Sequence, residues 1–581
     1  MSSPFYGLDI GASALRAAQQ MLDTAAHNVA NASTPGYSRQ VVSLVESPPY
    51  TYPAFNRSGL PGQVGSGVTV AAITRVRDNF LDLQVQAQTA LKGEWDTRQQ
   101  ELAKVESIFP EPSDSSLGSA LSKYWSAWQD VATDPTSTAA RTALTEQAAS
   151  LAMEMNRDST QLGMIGTGID SQVSQQITTI NDVAKQIASL NGQIQRVTVT
   201  GDHANDLLDQ REQLLEQLSA IVPSTTMTQP DGTLTVLVGG TDLVNGVYSR
   251  QLVGQNDPTT GHVTPTWADG SAVALPSGEM KSLLDVRDGD LASYRAQLDA
   301  LAKGVADATN TLHGRGVDAN GNPGQAIFTY HAGNVAGTLA VNTAVAADPS
   351  LVAASASPTT PGDGSVAGLI ADLGNARSYS AGVAGTDVVG GMDLTTGNTA
   401  RLLTISADTA VGQTYTFSGS GTNLTLTGAD GSTQTINVAD MAVGGTQALN
   451  FDQLGIKLTV NSGSATKSAA DLVTDFTTPG HNTVVAASLY SPSQTTTDFY
   501  AGLIGKIGTA SSQAAEMSTN QQLVVDQLTT RVQEVSGVSL DEEATDMVRF
   551  QHAYQAAARV ITTMDEMLNT LINGTGLVGR G

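Results

Sequence analysis

The residues best suited to chemistry in this 581-residue chain are seven histidines, a glycine-rich string and one Asp/Asn-rich loop. His27, His203, His262, His313, His331, His481 and His552 are scattered, with no HExxH and no obvious pairing, so their spacing forms neither a zinc site nor an acid–base couple. Gly574-Thr575-Gly576-Leu577-Val578-Gly579 matches GxGxxG. With no strand before it and no helix after it, that string cannot cradle a pyrophosphate. Asp318-Ala319-Asn320-Gly321-Asn322 begins like a calcium loop but lacks the later acidic ligands and the closing bidentate Glu, so a turn tied by its own Asp and Asn side chains is expected. There is no GxSxG elbow and no GxxxxGK[ST] loop, and the absence of cysteine excludes disulfides, thiolate zinc sites and cysteine nucleophiles. No catalytic, cofactor-binding or metal-binding residue is assigned. The chain does not read as an enzyme.

Charge narrows the partners. The formal net charge is −26, the pI is near 4.4 and 14% of residues are charged, with no Lys/Arg stripe able to displace phosphate counterions. Nucleic acid and anionic membrane surfaces are therefore not expected as partners. The start, MSSPFYGLDIGASAL, has no cation before Arg16 and no continuous apolar core, so a cleaved secretory leader is not expected, and no run of apolar residues is long enough to span a bilayer.

What the sequence offers instead is helical seams at both ends. Leu540, Met547, Tyr554, Ile561 and Leu568 fall seven apart, and Phe550, Ala557, Met564 and Leu571 sit three residues after the last four of a shared register. Apolar residues at a and d make a narrow stripe that must meet partner helices. The start repeats the pattern with Leu8, Leu15, Leu22 and Val29 at a and Gly11, Ala18 and Ala25 at d; His27 and His552 fall at solvent-facing f positions. Ser539-Leu540-Asp541-Glu542 reads as a capping box that fixes where the last helix begins.

Between the ends the pattern predicts a first helix over 5–31, stopped at Pro35-Gly36, and an extended Pro/Gly-rich connector over 38–70. Helices are predicted from Phe80 to Pro110, over 115–132 and 138–158, then as a separate long helix through Val173, Ile180, Ile187 and Ile194, resuming over 203–220. After residue 223, Pro230-Asp231-Gly232 and the alternating run Thr233–Val238 signal strands; helix resumes at 279–313. From 320 to 490 the chain is rich in Gly, Ser, Thr and Ala, with hairpin patterns at 413–417, 424–426 and 435–438, read as a small β domain. Helix returns near 495 and, apart from a break at Ser536-Gly537, runs to the end.

The expected fold class is α+β multidomain. Residues 1–65 with 530–581 would form a terminal coiled-coil assembly domain, and 66–222 with 276–320 and 491–529 an elongated helical rod. Residues 223–275 would form a small β module, and 321–490 a β-rich outer region that includes an insert at about 375–490. The two ends would pair side by side and the middle would project outward.

The stretch from Ala30 through Asn31, Thr34, Pro35 and Gly36 to Tyr37 resembles the N-terminal signature of the flagellar rod, hook and hook-associated axial protein family; its extension Ser38-Arg39-Gln40 is similar to the hook-associated protein 1 branch. Ser536-Gly537-Val538-Ser539-Leu540-Asp541-Glu542-Glu543 and Phe550–Ala556, with Gln551 and Tyr554, are similar to the same family, as are Asn310–His313, Gly316–Gly324 and Thr497–Tyr500. Gly-Val replaces the Asn usual before the equivalent helix in hook proteins, and the 375–490 segment departs from compact members.

The resemblance implies a structural adaptor between hook and filament: a ring of identical copies, with hook protein below and a second hook-associated protein or the filament side above. It implies an extracellular, flagellar location reached through the flagellar export channel, and a cytoplasmic export chaperone on the C-terminal helix. Weighed against it are a hook or distal rod subunit, a secreted enzyme carried on assembly helices with catalysis in the insert, and a secreted effector or translocator, for which a membrane-inserting segment is missing. The terminal helices are expected to gain order only on assembly, because a lone helix buries almost none of its seam.

Overall fold

The computed structural model describes residues 6–48, 65–360, 362–374, 381–382, 401–407, 414–428, 431–451, 456–462, 466–477, 483–486 and 495–574. Most of the GxGxxG string, and His481, lie outside them. The chain divides into two compact units, one of residues 1–99, 169–284 and 514–581, the other of 100–168 and 285–513.

The first unit holds both ends of the chain. Helix α1 (Tyr6–Asn31) stops where predicted, at the turn whose Gly36 takes φ +77°. The connector does more than link. Strand β1 (Gln40–Glu46) pairs antiparallel with β2 (Val68–Arg75), from Gln40 opposite Arg75 to Glu46 opposite Val68. Helix α2 (Asn79–Ile108) begins here, and α5 (Asn205–Ile221) lies wholly within this unit. The strands Ser224–Thr228, Leu234–Val238, Thr241–Asn245 and Tyr248–Ser249 form a sequential meander, followed by a separate hairpin, Leu252–Asn256 with Val263–Trp267.

Fully buried Asn191 ties that meander to the helices. Its amide donates to Leu234 O (2.9 Å) and Gly246 O (2.7 Å), and its oxygen accepts from Leu234 N (3.2 Å) and from Arg211 Nη1 (3.0 Å). All four hydrogen-bonding positions of the side chain are used, which is what a buried amide needs to be tolerated.

The second unit is organised around α3 (Leu117–Thr133), whose Tyr124 and Trp128 are fully buried with Phe328. Ser116 caps α3, accepting from Ser119 N. Helix α4 (Thr138–Val199) is one unbroken element of 62 residues where two helices were predicted. Gly163 and Gly168 suggest a break, each costing roughly 1 kcal/mol in a helix interior. Met155, Leu162 and Ile169, seven apart and fully buried, carry the apolar face straight through them, and that packing wins.

The predicted 279–313 helix forms as Glu279–Asp285 and Ala292–His313, joined through a π-helical turn at Val286–Leu291. The Asp318 loop closes on itself, with Asp318 Oδ1 accepting from Asn320 N and Asn322 N, both at 2.8 Å. In the insert, the hairpins form as Thr414–Ser420, Asn423–Gly428 and Thr433–Asn437, within a five-stranded antiparallel sheet. Phe417 packs on Phe476 and Phe451 (centroids 4.8 and 6.3 Å apart), beside a second sheet of Arg401–Ala407, Ile456–Asn461 and Thr446–Phe451.

Candidate assembly interface

The two chain ends meet inside the first unit. The C-terminal helix (Leu540–Asn569) lies antiparallel to α1: Gly7 faces Met564, Gly11 faces Ile561, and Asn28 faces Glu543. A methyl group on Gly7 would come within 2.6 Å of Met564 Cε, and one on Gly11 within 2.9 Å of Ile561 Cγ1. The helices approach this closely because α1 turns its small residues inward. Gly11, Ala17, Ala18, Thr24, Ala25 and Asn28 are its buried positions.

The large seam residues are placed differently. Leu8, Leu15 and Leu22 are half-buried and Val29 is exposed. On the C-terminal helix Ala557 is buried, while Met547, Phe550, Tyr554, Ile561, Met564 and Leu568 are half-buried. Leu540 and Leu571 are each 56% exposed, as are Val548 (54%) and Met567 (58%) outside the register. A single antiparallel pair therefore leaves apolar surface on the C-terminal helix facing solvent.

The signature Asn31-to-Tyr37 stretch and its Ser38-Arg39-Gln40 extension form a polar clasp at the other end of the pair. Asn28, 2% exposed, donates to Gln40 O (2.9 Å) and Glu543 Oε1 (3.1 Å) and accepts from Tyr37 Oη (2.8 Å) and Gln40 N (2.9 Å). Arg39 N donates to Ser536 O (2.8 Å), and Arg39 Nη1 pairs with Glu542 at 2.8 Å. Ser38 donates through N and Oγ to Asp209, which also binds Arg75 at 2.7 Å. Asn31 accepts from Thr34 Oγ1 at 3.2 Å, Gln213 donates to Pro35 O, and a Cβ on Gly36 would strike the Gln213 side chain.

Gly537 closes the preceding long helix (Thr496–Ser536), its N donating to Gln533 O at 2.8 Å; a Cβ there would lie 2.3 Å from that oxygen. Val538 follows in the linker, and Gln551 is exposed on the C-terminal helix. The capping box is half-made. Ser539 Oγ accepts from Glu542 N, but the Glu542 carboxylate turns to Arg39 instead of back to the cap, because an arginine competes for it.

Electrostatics follow burial. Burial raises the Glu543 carboxyl above its ordinary value, opposed by the Asn28 hydrogen bond and Arg39. Burial, then Asp206, Asp209 and Glu543, also hold the Tyr37 phenol protonated and donating. His27 is exposed as expected, yet its Nε2 stands 3.5 Å from Asp206 and its ring packs edge-on to Tyr37. His552 is exposed. Among the described residues no group of three or more His, Asp or Glu is placed to hold a metal, and no helix is long and apolar enough to cross a membrane.

The sequence reading missed Asn28 and Asp209. A signal for one of them existed. Asn28 continues the stripe of small residues through Ala25, three positions on, where a polar side chain must find partners.

Comparison with known proteins supplies the context for this geometry. Residues 102–328 match the family described as the flagellar hook-associated protein FlgK helical domain. Residues 530–574 match the flagellar basal body rod FlgEFG protein C-terminal family, and residues 8–37 the flagella basal body rod protein family. Flagellar hook-associated protein 1 of Bacillus subtilis is 28% identical, with all of both chains covered; that of Salmonella typhimurium is 29% identical, covering 97% of this chain and 98% of its own. The flagellar hook junction protein FlgK from Burkholderia pseudomallei shares the fold, with a TM-score of 0.52 at 20% identity over 78% of this chain and 100% of that one.

Proposed function

We infer that the terminal helix pair is the assembly joint of this chain, which belongs to the flagellar hook-associated protein 1 family and is a structural subunit of the flagellum at the hook–filament junction. One observation carries the role given to the pair. Its two halves come from opposite ends of the chain, are clasped by Asn28 and Glu543, and leave Leu540 and Leu571 exposed. Apolar residues at coiled-coil spacing that one partner does not cover are surface for further helices.

In this reading copies of the chain form a ring. Leu8, Leu15, Leu22 and Val29, together with the Leu540-to-Leu571 seam, meet neighbouring copies. Hook protein lies below, and a second hook-associated protein or the filament side lies above. The same uncovered apolar face suits an export chaperone on the C-terminal helix before the chain leaves the cell through the flagellar channel. The terminal coiled-coil, helical rod and β-rich outer segments, as divided from the sequence, serve as joint, spacer and outer surface.

Electron microscopy of cells lacking the gene tests the junction role. Bare hooks and detached filaments are expected, with attached filaments restored by the intact chain. Normal filaments on the deletion strain would refute it.

A further inference from the structure

Beside the clasp lies a cavity of about 170 Å³ bounded by Gly36, Tyr37, Arg77, Asp82, Gln86, Glu212, Glu216 and the Thr529–Gly537 stretch. Its walls are rich in acceptors. Arg77 is the one cation among the lining residues, and it is engaged: Nε and Nη2 bind Asp82 at 2.9 and 3.1 Å, and Nη1 donates to Ser38 Oγ at 3.0 Å. Glu212 has no direct ion pair but lies in the field of Arg77, Arg75 and Arg211, which leaves exposed Glu216 as the wall carboxylate with no cation of its own. Gln86 is 8% exposed, lines the same cavity, and its Oε1 has no hydrogen-bond partner. A buried carbonyl oxygen without a donor is costly, and one beside two carboxylates is a place for a cationic donor.

We propose that this cavity receives the guanidinium of an arginine from a second copy of the chain. The chemistry of the helix pair identifies the donor. Between Tyr6 and Asn31, and between Leu540 and Asn569, there is no lysine; the cations are Arg16, Arg549 and Arg559. Arg549 pairs with Asp546 at 3.0 Å. Arg16 and Arg559 are exposed, with no ion pair among the described residues. Because Gly11 faces Ile561 in an antiparallel pair, these two arginines stand about one helical turn apart along neighbouring helices.

A copy packed alongside thus presents guanidinium groups, whose planar fork matches a carboxylate and an amide oxygen together. Burial raises the Glu212 carboxyl above its ordinary value against the pull of Arg77, Arg75 and Arg211, and a further cation would add to that pull toward the charged form. The contact would set which neighbour docks where, as charge complementarity does at interfaces.

The inference rests on the junction reading, and the test separates the two. The full-length chain, with Glu216→Arg, Gln86→Met, or Glu216→Arg combined with Arg16→Glu or Arg559→Glu, is expressed in the deletion strain, and the amount in purified flagella is measured by immunoblot. The melting temperature of each purified monomer serves as the folding control.

Glu216→Arg is expected to lower incorporation about tenfold with an unchanged melting temperature, and Gln86→Met to lower it less. One of the two charge reversals is expected to restore it. Incorporation of Glu216→Arg at the unmodified level, or rescue by neither reversal, overturns the proposal while leaving the junction role standing. Absence of the unmodified chain from flagella overturns both.

Discussion

Asn28 Nδ2 donates to Glu543 Oε1 across 3.1 Å, joining residues 515 positions apart. The bond is one of four made by the Asn28 side chain, and its other partners, Tyr37 and Gln40, lie in or beside the signature turn. The signature is therefore structural: it fastens the beginning of the chain to the first turn of its last helix.

Replacing Asn28 with Ala should destabilise that fastening by about 2–4 kcal/mol, since the Gln40 amide and the Glu543 carboxyl lose a buried partner at once. Limited proteolysis of purified flagella should then cut this chain near 30–40 much faster than the unmodified one. An unchanged cleavage pattern would contradict the clasp.

Gly11→Leu should block the helix pair, because even a methyl group there approaches Ile561 Cγ1 to 2.9 Å. Adding Ile561→Ala should recover part of the lost incorporation into flagella by opening room. A double variant as defective as the single would show that the two residues do not face each other in the assembly.

Hydrogen exchange on the free monomer should find amides of 8–29 and 540–571 poorly protected and the buried helices of the middle strongly protected, since the pair leaves so much of its seam uncovered. Tyr554→Asp or Ile561→Asp should prevent incorporation without altering the melting of the remaining chain. Strong protection at both ends, or normal motility in either variant, would remove the assembly-coupled ordering.

Two buried groups of the second unit titrate in opposite senses. His313, fully buried, donates from Nδ1 to Gln325 O and accepts from Ala353 N at Nε2 (2.6 Å); burial lowers its pKa from 6.5 to about 4. The unfolded chain takes up that proton first, so the contribution is complete above about 6.5 and is lost as pH falls toward 4, by roughly 3 kcal/mol. Asp158 is the reverse. Burial raises its carboxyl from 3.8 to about 7 against the pull of Arg157, so its contribution is present at low pH and lost as pH rises through 7. Between about pH 4 and 6.5 the two nearly cancel. Asp158→Asn should make stability rise with pH in that window and His313→Gln should make it fall, read as denaturant midpoints at pH 4.5 and 6.5.

Much of the fold was legible because periodicity reports which face is buried. The bounds of α1, the stop at Ser536-Gly537 and the hairpins of 414–437 follow from period and turn chemistry. The predicted break in α4 failed because the stretch between the two periodic runs is held helical by the tertiary burial of Leu162 and Ile169. The heptads marked the two helices that pair without revealing that α1 offers its alanines and glycines inward and leaves its leucines half-uncovered. Spacing gives a stripe, and side-chain size decides how near a second helix can come. Asp209 and Asn191 were silent, since a lone polar residue carries no period and declares itself only through the groups it satisfies.

The polar knot sits at one end of the antiparallel helices, where Asn28 holds Glu543, while Gly7 and Met564 at the far end meet through van der Waals contact. Loosening must then have a polarity, starting from Gly7 and Met564 and halting at Asn28, like a seam fraying from its unsewn edge. Order gained on assembly would spread the opposite way, from Asn28 toward Gly7, so that the fastened end sets the register of the two helices before a neighbour covers them.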